Sequence, residues 1–443
     1  MEKPAVAALR YDTPFSSVEK AVSLSNAFRL MPKGAKVFVK PNIVFWTRAV
    51  AFPKWGVITT SRVIEDVVKL LKDMGASAIT IGEGVVVSDP KDTATPAHAF
   101  DSLGYTEMGK RYGVKAVNVM ERPFKKAEVA PGITLNYSAD ILDADFVVSV
   151  PVMKTHNQTM VSLSIKNIKG TIDIKSRKQC HSANPDTDLH WYVARLSDPL
   201  PPTASVIDGL YTLERGPAFD GKVKRENIIV ASSDPLSADL VGARILGFNP
   251  ADVPHLAHAA KNRSRTASLD SLNLKGEPVE SLQSPHEYDF AYQSDDSGEM
   301  PVPLAKQGIK GLFYRKFDLS MCTYCSGLNG LLLTAIRAAY KGTPFDRVEV
   351  LTGKMMKPAP DMNATILVGQ CMVKEHRKNP DIKNPILIKG CPPDPKEVVE
   401  ALHKAGIAVD QTLFDNMDKL PAFFMGRYTG KPEFDEALFQ AGK

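Results

Sequence analysis

The chain has 443 residues, 44% hydrophobic and 24% charged, with a formal net charge of +5. That composition is ordinary for folded domains and excludes disorder throughout; a pI near 8.7 falls short of the value above ~9 with clustered Lys/Arg that marks nucleic-acid binding. No apolar run approaches the ~20 residues that cross a bilayer, and the opening Met1-Glu-Lys-Pro-Ala-Val-Ala-Ala-Leu-Arg10 has no basic segment followed by an apolar core. The reading is a soluble, cytoplasmic protein with no nucleic-acid and no membrane partner.

The first part alternates strand and helix. Val37–Val39 is a short strand stopped by Pro41 in Lys40-Pro-Asn42, because proline cannot donate to a central ladder. Val63, Ile64, Val67, Val68, Leu71 and Met74 recur at helical spacing before Gly75, and Ala78–Ile81 is the next strand. Strand, helix and strand joined this way predict a parallel, right-handed unit. Phe146–Val150, Ser205–Ile207 and Ile228–Val230 read as further strands, ending in Pro-Val-Met-Lys154-Thr-His156, Asp208-Gly209 and Ser-Ser-Asp234-Pro235. Asp234 as N-cap and Pro235 at the first helical position open a helix closed by Gly247.

Residues 263–300 are rich in serine, poor in apolar clusters and acidic at the end, and read as a surface connector. Beyond it, Leu328, Leu331, Leu332, Ala335, Ile336 and Ala339 mark an amphipathic helix. Val348–Val350, Ala364–Val368 and Ile386–Ile388 read as strands, and Asp394-Pro-Lys-Glu397 as a capping box. The fold class is α/β, with mostly parallel sheets and flanking helices in two domains joined by a polar connector. The boundaries are 1–262 for the basic, histidine-bearing domain, 263–300 for the connector and 301–443 for the cysteine-bearing domain. In open parallel sheets ligands bind outside the carboxyl ends of strands, and the polar turns stand at such ends.

Of five cysteines, Cys322, Cys325, Cys371 and Cys391 lie in the last 122 residues. Disulfides are rare in an intracellular chain, where regularly placed cysteines are more often metal ligands or catalytic groups. Cys322-Thr-Tyr-Cys325 stands just before the amphipathic helix, whose N-terminus favours thiolate. Cys371 and Cys391 each follow a strand through a short turn, so both leave one sheet edge if those strands are parallel. Four converging thiolates suit a 4Fe-4S cluster or a structural zinc. Two Cys-x-x-Cys pairs would favour zinc, whereas one pair plus two singles leans toward iron–sulfur. Cys180, in Arg177-Lys-Gln-Cys-His181, reads as a bystander.

Six cations and two histidines crowd residues 154–181. Lys154 and His156 follow an apolar strand, and Lys166 and Lys169 alternate with Ile165 and Ile168, so the stretch is not a plain solvated face. Cations at a sheet edge would bind a carboxylate or phosphate. His156 or His181 would serve as general acid or base near neutral pH, with Asp208 orienting a histidine or holding a cation. Gly82-Glu-Gly84 lacks the third glycine and the helix start of a dinucleotide site, so flavin or nicotinamide is not indicated.

Lys40-Pro-Asn42, Pro151-Val-Met-Lys-Thr-His156, Ile165-Lys-Asn-Ile-Lys-Gly170, Val206-Ile-Asp-Gly209, Gly216-Pro217 and Ser233-Asp-Pro-Leu-Ser-Ala-Asp239, in this order, resemble the domain of unknown function 362 family over about residues 30–260. The resemblance implies a fold and a site location and no settled reaction; the substrate-binding candidates, taken from the strand-end positions, are Lys40, Asn42, Lys154, Lys166, Asn167 and Lys169. Members of that family often accompany iron–sulfur modules and anaerobic metabolism, and many carry a ferredoxin module with closely spaced cysteines. The dispersed cysteines of this chain depart from that pattern and favour one cluster. Gly390-Cys-Pro-Pro393 is similar to the terminal cluster-ligand segment in the small subunits of nickel–iron hydrogenases and respiratory complex I. The leading expectation is an iron–sulfur oxidoreductase that acts on a small anion where the two domains face each other, served by an electron-donor protein such as a ferredoxin. The alternatives are a hydro-lyase whose cluster acts as Lewis acid, and a non-enzymatic binding protein holding zinc or a cluster.

Overall fold

Segments rich in apolar and β-branched residues pair as strands, mostly parallel, joined through helices, as the α/β reading requires. The computed structural model describes residues 3–87, 91–314 and 318–441. In chain order the strands are β1 (Ala5–Arg10), β2 (Lys36–Lys40), β3 (Ala78–Glu83), β4 (Lys115–Asn118), β5 (Phe124–Ala130), β6 (Ile133–Ser138), β7 (Phe146–Ser149), β8 (Val152–His156), β9 (Met160–Ser162), β10 (Thr203–Glu214), β11 (Lys222–Ser232), β12 (Asn273–Gly276), β13 (Tyr292–Asp295), β14 (Gly298–Pro301), β15 (Leu312–Tyr314), β16 (Val348–Leu351), β17 (Ala364–Val368) and β18 (Pro385–Ile388). They form two units. One comprises Met1–Ser176, His190–Tyr288 and Pro421–Lys443; the other comprises Arg177–Leu189 and Asp289–Leu420.

The first unit carries a sheet in the order β12-β1-β11-β10-β7-β2-β3-β4, with β8 beside β10 and β9 beside β8. Strands β10, β7, β2, β3 and β4 run parallel, and β11 runs antiparallel to β10 and β1. The Ser61–Asp73 helix between β2 and β3 buries Val63, Ile64, Val67, Val68 and Leu71, the stripe read from the sequence apart from Met74, which follows the helix and is exposed. Strand β10 departs from expectation. It does not stop at Asp208-Gly209 but runs twelve residues, all buried, pairing first with β7 and then with β8. A shift in its register with β11 between Gly209 and Tyr211 absorbs the glycine as a bulge, and Leu210–Leu213 carry the strand onward. The Pro235–Ile245 helix opens as predicted, with the Asp234 carboxylate accepting the Ser237 N–H at 3.1 Å.

The stretch read as a connector is divided instead. Strand β12 pairs with β1 at the edge of the first sheet, and β13 with β14 opens the second. Residues 421–443 return to the first unit, where the Trp55 ring lies 5.2 Å from Tyr428 and 5.7 Å from Phe434. Residues 177–189 belong with the cysteine-bearing unit. The boundaries 1–262 and 301–443 therefore miss two exchanges of chain.

The second unit has a six-stranded sheet, β13 to β18 in sequential order, antiparallel at β13–β14 and parallel from β14 onward. Its long helix spans Thr323–Ala339, with Cys322 as N-cap residue, so the Cys322–Cys325 pair forms the start of that helix rather than preceding it. Asp394 caps the Pro395–Lys404 helix through the Lys396 N–H at 2.9 Å. Glu397 departs from the capping box: it accepts the Lys389 N–H at 3.0 Å. Among the described residues no helix is long and apolar enough to cross a membrane.

Candidate functional site

At the carboxyl ends of β2, β3 and β7 the first sheet carries a buried polar network. Lys40 Nζ donates to the Pro41 carbonyl at 2.6 Å, Glu83 Oε2 at 2.7 Å and Asn167 Oδ1 at 3.3 Å. An ammonium has three donors, so Lys40 is committed to protein and acts as scaffold. Glu83 Oε2 also accepts the Ile43 N–H, and Oε1 the Gly84 N–H. Asn167 Nδ2 donates back to the Lys40 carbonyl at 2.9 Å, tying the Ser164–Asn167 helical turn to β2. The two N–H groups that open this turn, Ser164 and Ile165, donate to Asp239 at 2.7 and 2.9 Å. Gly170 lies against the ion pair: a Cβ there would stand 2.8 Å from Lys40 Nζ, so the close packing requires glycine.

Lys154, on β8, donates to Asn42 Oδ1 at 2.7 Å and to the Val57 carbonyl at 3.0 Å, leaving one donor beyond these. Lys154 exposes 1% of its surface, and burial, aided by the Lys40 charge and opposed by Glu83, pushes its pKa down to about 7. Lys166 is half-buried and lies well below the usual lysine range through burial and the charges of Lys169, Lys154 and Lys40. Burial pushes Asp239 up to about 7 against the two N–H groups it accepts. The structure thus gathers all six substrate-binding candidates. Lys40, Asn42 and Asn167 form the buried frame, and Lys166 and Lys169 are the more open cations. Glu83 and Gly170 were not singled out as site residues from sequence. The signal for Glu83 was an acid at a strand end, visible but read only as part of a weak glycine motif.

The three catalytic candidates are placed differently. His156 ends β8, and its Nδ1 accepts the Gln158 N–H at 3.1 Å, so its proton in the neutral form resides on Nε2. Asp208 accepts the Thr60 N–H at 2.7 Å and the Leu210 N–H at 3.0 Å; burial raises it to about 6 against these donors. It fastens the start of the Ser61–Asp73 helix to β10, and among the described residues no hydrogen bond joins it to a histidine. His181 belongs to the second unit. Its Nδ1 lies 2.8 Å from the Leu319 carbonyl, an acceptor only, so Nδ1 is the protonated nitrogen.

The second unit brings its four cysteines to the carboxyl edge of its sheet. Cys322 and Cys325 follow β15 at the start of the Thr323–Ala339 helix, Cys371 sits in the first turn of the Gly369–His376 helix directly after β17, and Cys391 lies in the loop after β18. Strands β17 and β18 are parallel, Val368 opposite Ile388, so both single cysteines leave one edge. The Cys325 thiol donates to Cys322, which is held well below the ordinary thiol range by that bond, by the Tyr324 and Cys325 N–H groups and by Lys354, against burial. Cys325 is correspondingly raised, by its bond to Cys322, by burial and by the charges of Cys322, Cys391 and Cys371. Burial likewise raises Cys371. Gly369, at φ +84°, would place a Cβ 3.0 Å from Cys325 Sγ; both its backbone and its neighbour call for glycine. Cys371 and Cys391 are exposed, and Cys180 is buried. Among the described residues no three His, Cys, Asp or Glu side chains close on a single ion.

These features define an α/β protein with a buried lysine–carboxylate frame at one sheet edge and a thiol-bearing edge on a second sheet. Residues 37–244 match the family model described as "Domain of unknown function (DUF362)". The chain is 24% identical over 230 residues to a thylakoid-associated protein of Synechocystis sp., covering 51% of this chain and 67% of that one. A crystal structure of a Thermotoga maritima protein aligns at 12% identity and TM-score 0.25, over 57% of this chain and 60% of that one. The lysine frame lies inside the matched region; the four cysteines lie beyond it.

Proposed function

We propose that this chain is an iron–sulfur oxidoreductase acting on a small anion, a carboxylate or phosphate. The observation that carries the reading is the gathering of Cys322, Cys325, Cys371 and Cys391, from three strand ends, where Cys325 feels the charge of the other three. The donor set fits a 4Fe-4S cluster: four sulfurs, a helix N-terminus that favours thiolate, and at Gly369 a side-chain-free position beside Cys325. A cluster offers a separate iron to each thiolate, so its ligands need not close on one point as those of a single ion do. Such a cluster supplies single electrons. Lys166 and Lys169, less buried than Lys154, are the cations that would hold the substrate anion. His156 holds its proton at Nε2 and His181 its own at Nδ1. An electron-donor protein such as a ferredoxin completes the reaction.

Anaerobic purification with iron and acid-labile sulfide analysis tests the reading. Four irons and four sulfides per chain are expected, with a broad visible charge-transfer band. Cys→Ser replacement at each of the four positions is expected to lower the iron content to a similar extent. Three strong losses and one weak one would point instead to an open iron site and hydro-lyase chemistry. A colourless protein containing zinc would sink the redox reading.

A further inference from the structure

The Arg177–Leu189 segment interrupts the first unit and packs in the second, where it meets the cysteines. The thiol of Cys391 acts on the Lys178 ammonium, whose Nζ lies 5.1 Å from the centre of the Tyr324 ring, the residue preceding Cys325. A second lysine holds this segment in place. Lys354 Nζ donates to the Lys178 carbonyl at 2.9 Å and to the His181 carbonyl, while its backbone N–H donates to Ser320 Oγ at 2.8 Å. The His181 Nδ1–H bond to Leu319 fixes the far side of the same segment. The Lys354 charge acts on Cys322 and Cys371, and the Lys178 charge on Cys371 and Cys391. Two ammonium groups thus stand beside the cysteine-bearing edge, one over the Tyr324 ring and one held by backbone carbonyls.

We propose that Lys178 and Lys354 are positioning residues that set the reduction potential of an iron–sulfur centre held by Cys322, Cys325, Cys371 and Cys391. The proposal rests on the cluster reading above. Reduction adds one electron, supplied by the donor protein, and makes the centre one unit more negative; no bond to the lysines forms or breaks. A fixed cation nearby stabilises the reduced centre more than the oxidised one. Both lysines therefore raise the potential.

The test is a potentiometric titration followed by electron paramagnetic resonance on the full chain, for wild type, K178M, K354M, K178R and the double K178M/K354M variant. Each methionine variant is expected to keep its iron and sulfide and to titrate at a more negative potential, the double variant further still, with K178R restored toward wild type. K354M keeps the proposal testable if K178M fails to fold by circular dichroism. Unchanged potentials in methionine variants that retain the cluster would overturn the proposal while leaving the cluster reading standing. A folded K178M that loses iron while K178R keeps it would also overturn it, by assigning the lysine to assembly. Wild-type protein without iron and sulfide would remove the cluster reading itself, and this proposal with it.

Discussion

Lys40 and Glu83 form an ion pair in which Nζ stands 2.7 Å from Oε2 and neither side chain exposes more than 2% of its surface. Removing one partner of such a pair strands a charge away from water, which costs far more than the pair itself contributes. Glu83→Gln is therefore expected to lower unfolding free energy by roughly 3–5 kcal/mol, with Lys40→Met/Glu83→Leu less damaging than either single change. Urea denaturation of Glu83→Gln, the double variant and its two single changes checks this; a loss of under ~1 kcal/mol for Glu83→Gln, the level of an exposed pair, would remove the pair from its place in the frame.

Gly170 closes the same frame from the other side. A methyl group at this position would sit 2.7 Å from Lys40 Cε and 2.8 Å from Nζ, nearer than packed atoms tolerate, and the lysine cannot swing away without breaking its three hydrogen bonds. Gly170→Ala is expected to cost about 1–3 kcal/mol, the usual price of overpacking. A thermal melt within error of wild type would show that Lys40 can move.

Much of this frame is visible in the sequence and part is not. Lys40, Asn42, Lys154 and Asn167 stand next to apolar runs, and the run itself marks the strand end that carries them. Asp208 misled because Asp-Gly resembles a strand stop, yet the apolar residues resume at Leu210 and backbone pairing overrides the local signal. Glu83 pairs with Lys40 across 43 positions, and no periodicity announces such a partner. The transfer of residues 177–189 into the cysteine unit is still less legible. It depends on Lys354 gripping two carbonyls from a segment more than 170 residues away, and backbone acceptors carry no side-chain signature. The cysteine spacing was informative because strand ends and a helix start are local features, and the parallel β17–β18 pairing turns them into one edge.

Lys154 gives the fold a pH dependence with a defined sign. Its folded pKa lies at about 7 against an ordinary value of 10.5, so between these values the unfolded chain binds the proton and the folded one does not. Stability contributed by the neutral amine is present above pH 10.5 and is lost as pH falls through 7. Compared with Lys154→Met, which has no such proton, the wild type should gain stability on going from about pH 7 to about pH 10, by on the order of 4 kcal/mol at ~1.4 kcal/mol per pH unit. Urea denaturation of both proteins at the two pH values measures the difference, and a pH-independent gap between them would contradict the buried, uncharged lysine.

Anion binding by the same edge should draw protons with it. Burial and the charges of Lys169, Lys154 and Lys40 hold Lys166 well below the lysine range, so the resting site carries less positive charge than its lysine count suggests. A bound anion supplies the missing counter-charge, raises both Lys154 and Lys166 and is accompanied by proton uptake. Sulfate, whose own charge is constant near neutrality, is the appropriate probe. Its affinity is expected to fall as pH rises from about 7, and the calorimetric binding enthalpy should vary with the ionisation enthalpy of the buffer. Lys166→Met should weaken sulfate by about tenfold, equivalent to ~1.4 kcal/mol, whereas Lys126→Met, on the exposed hairpin strand β5, should leave it unchanged. If sulfate binds equally well at both ends of the pH range and without buffer dependence, the edge does not recognise anions through these lysines.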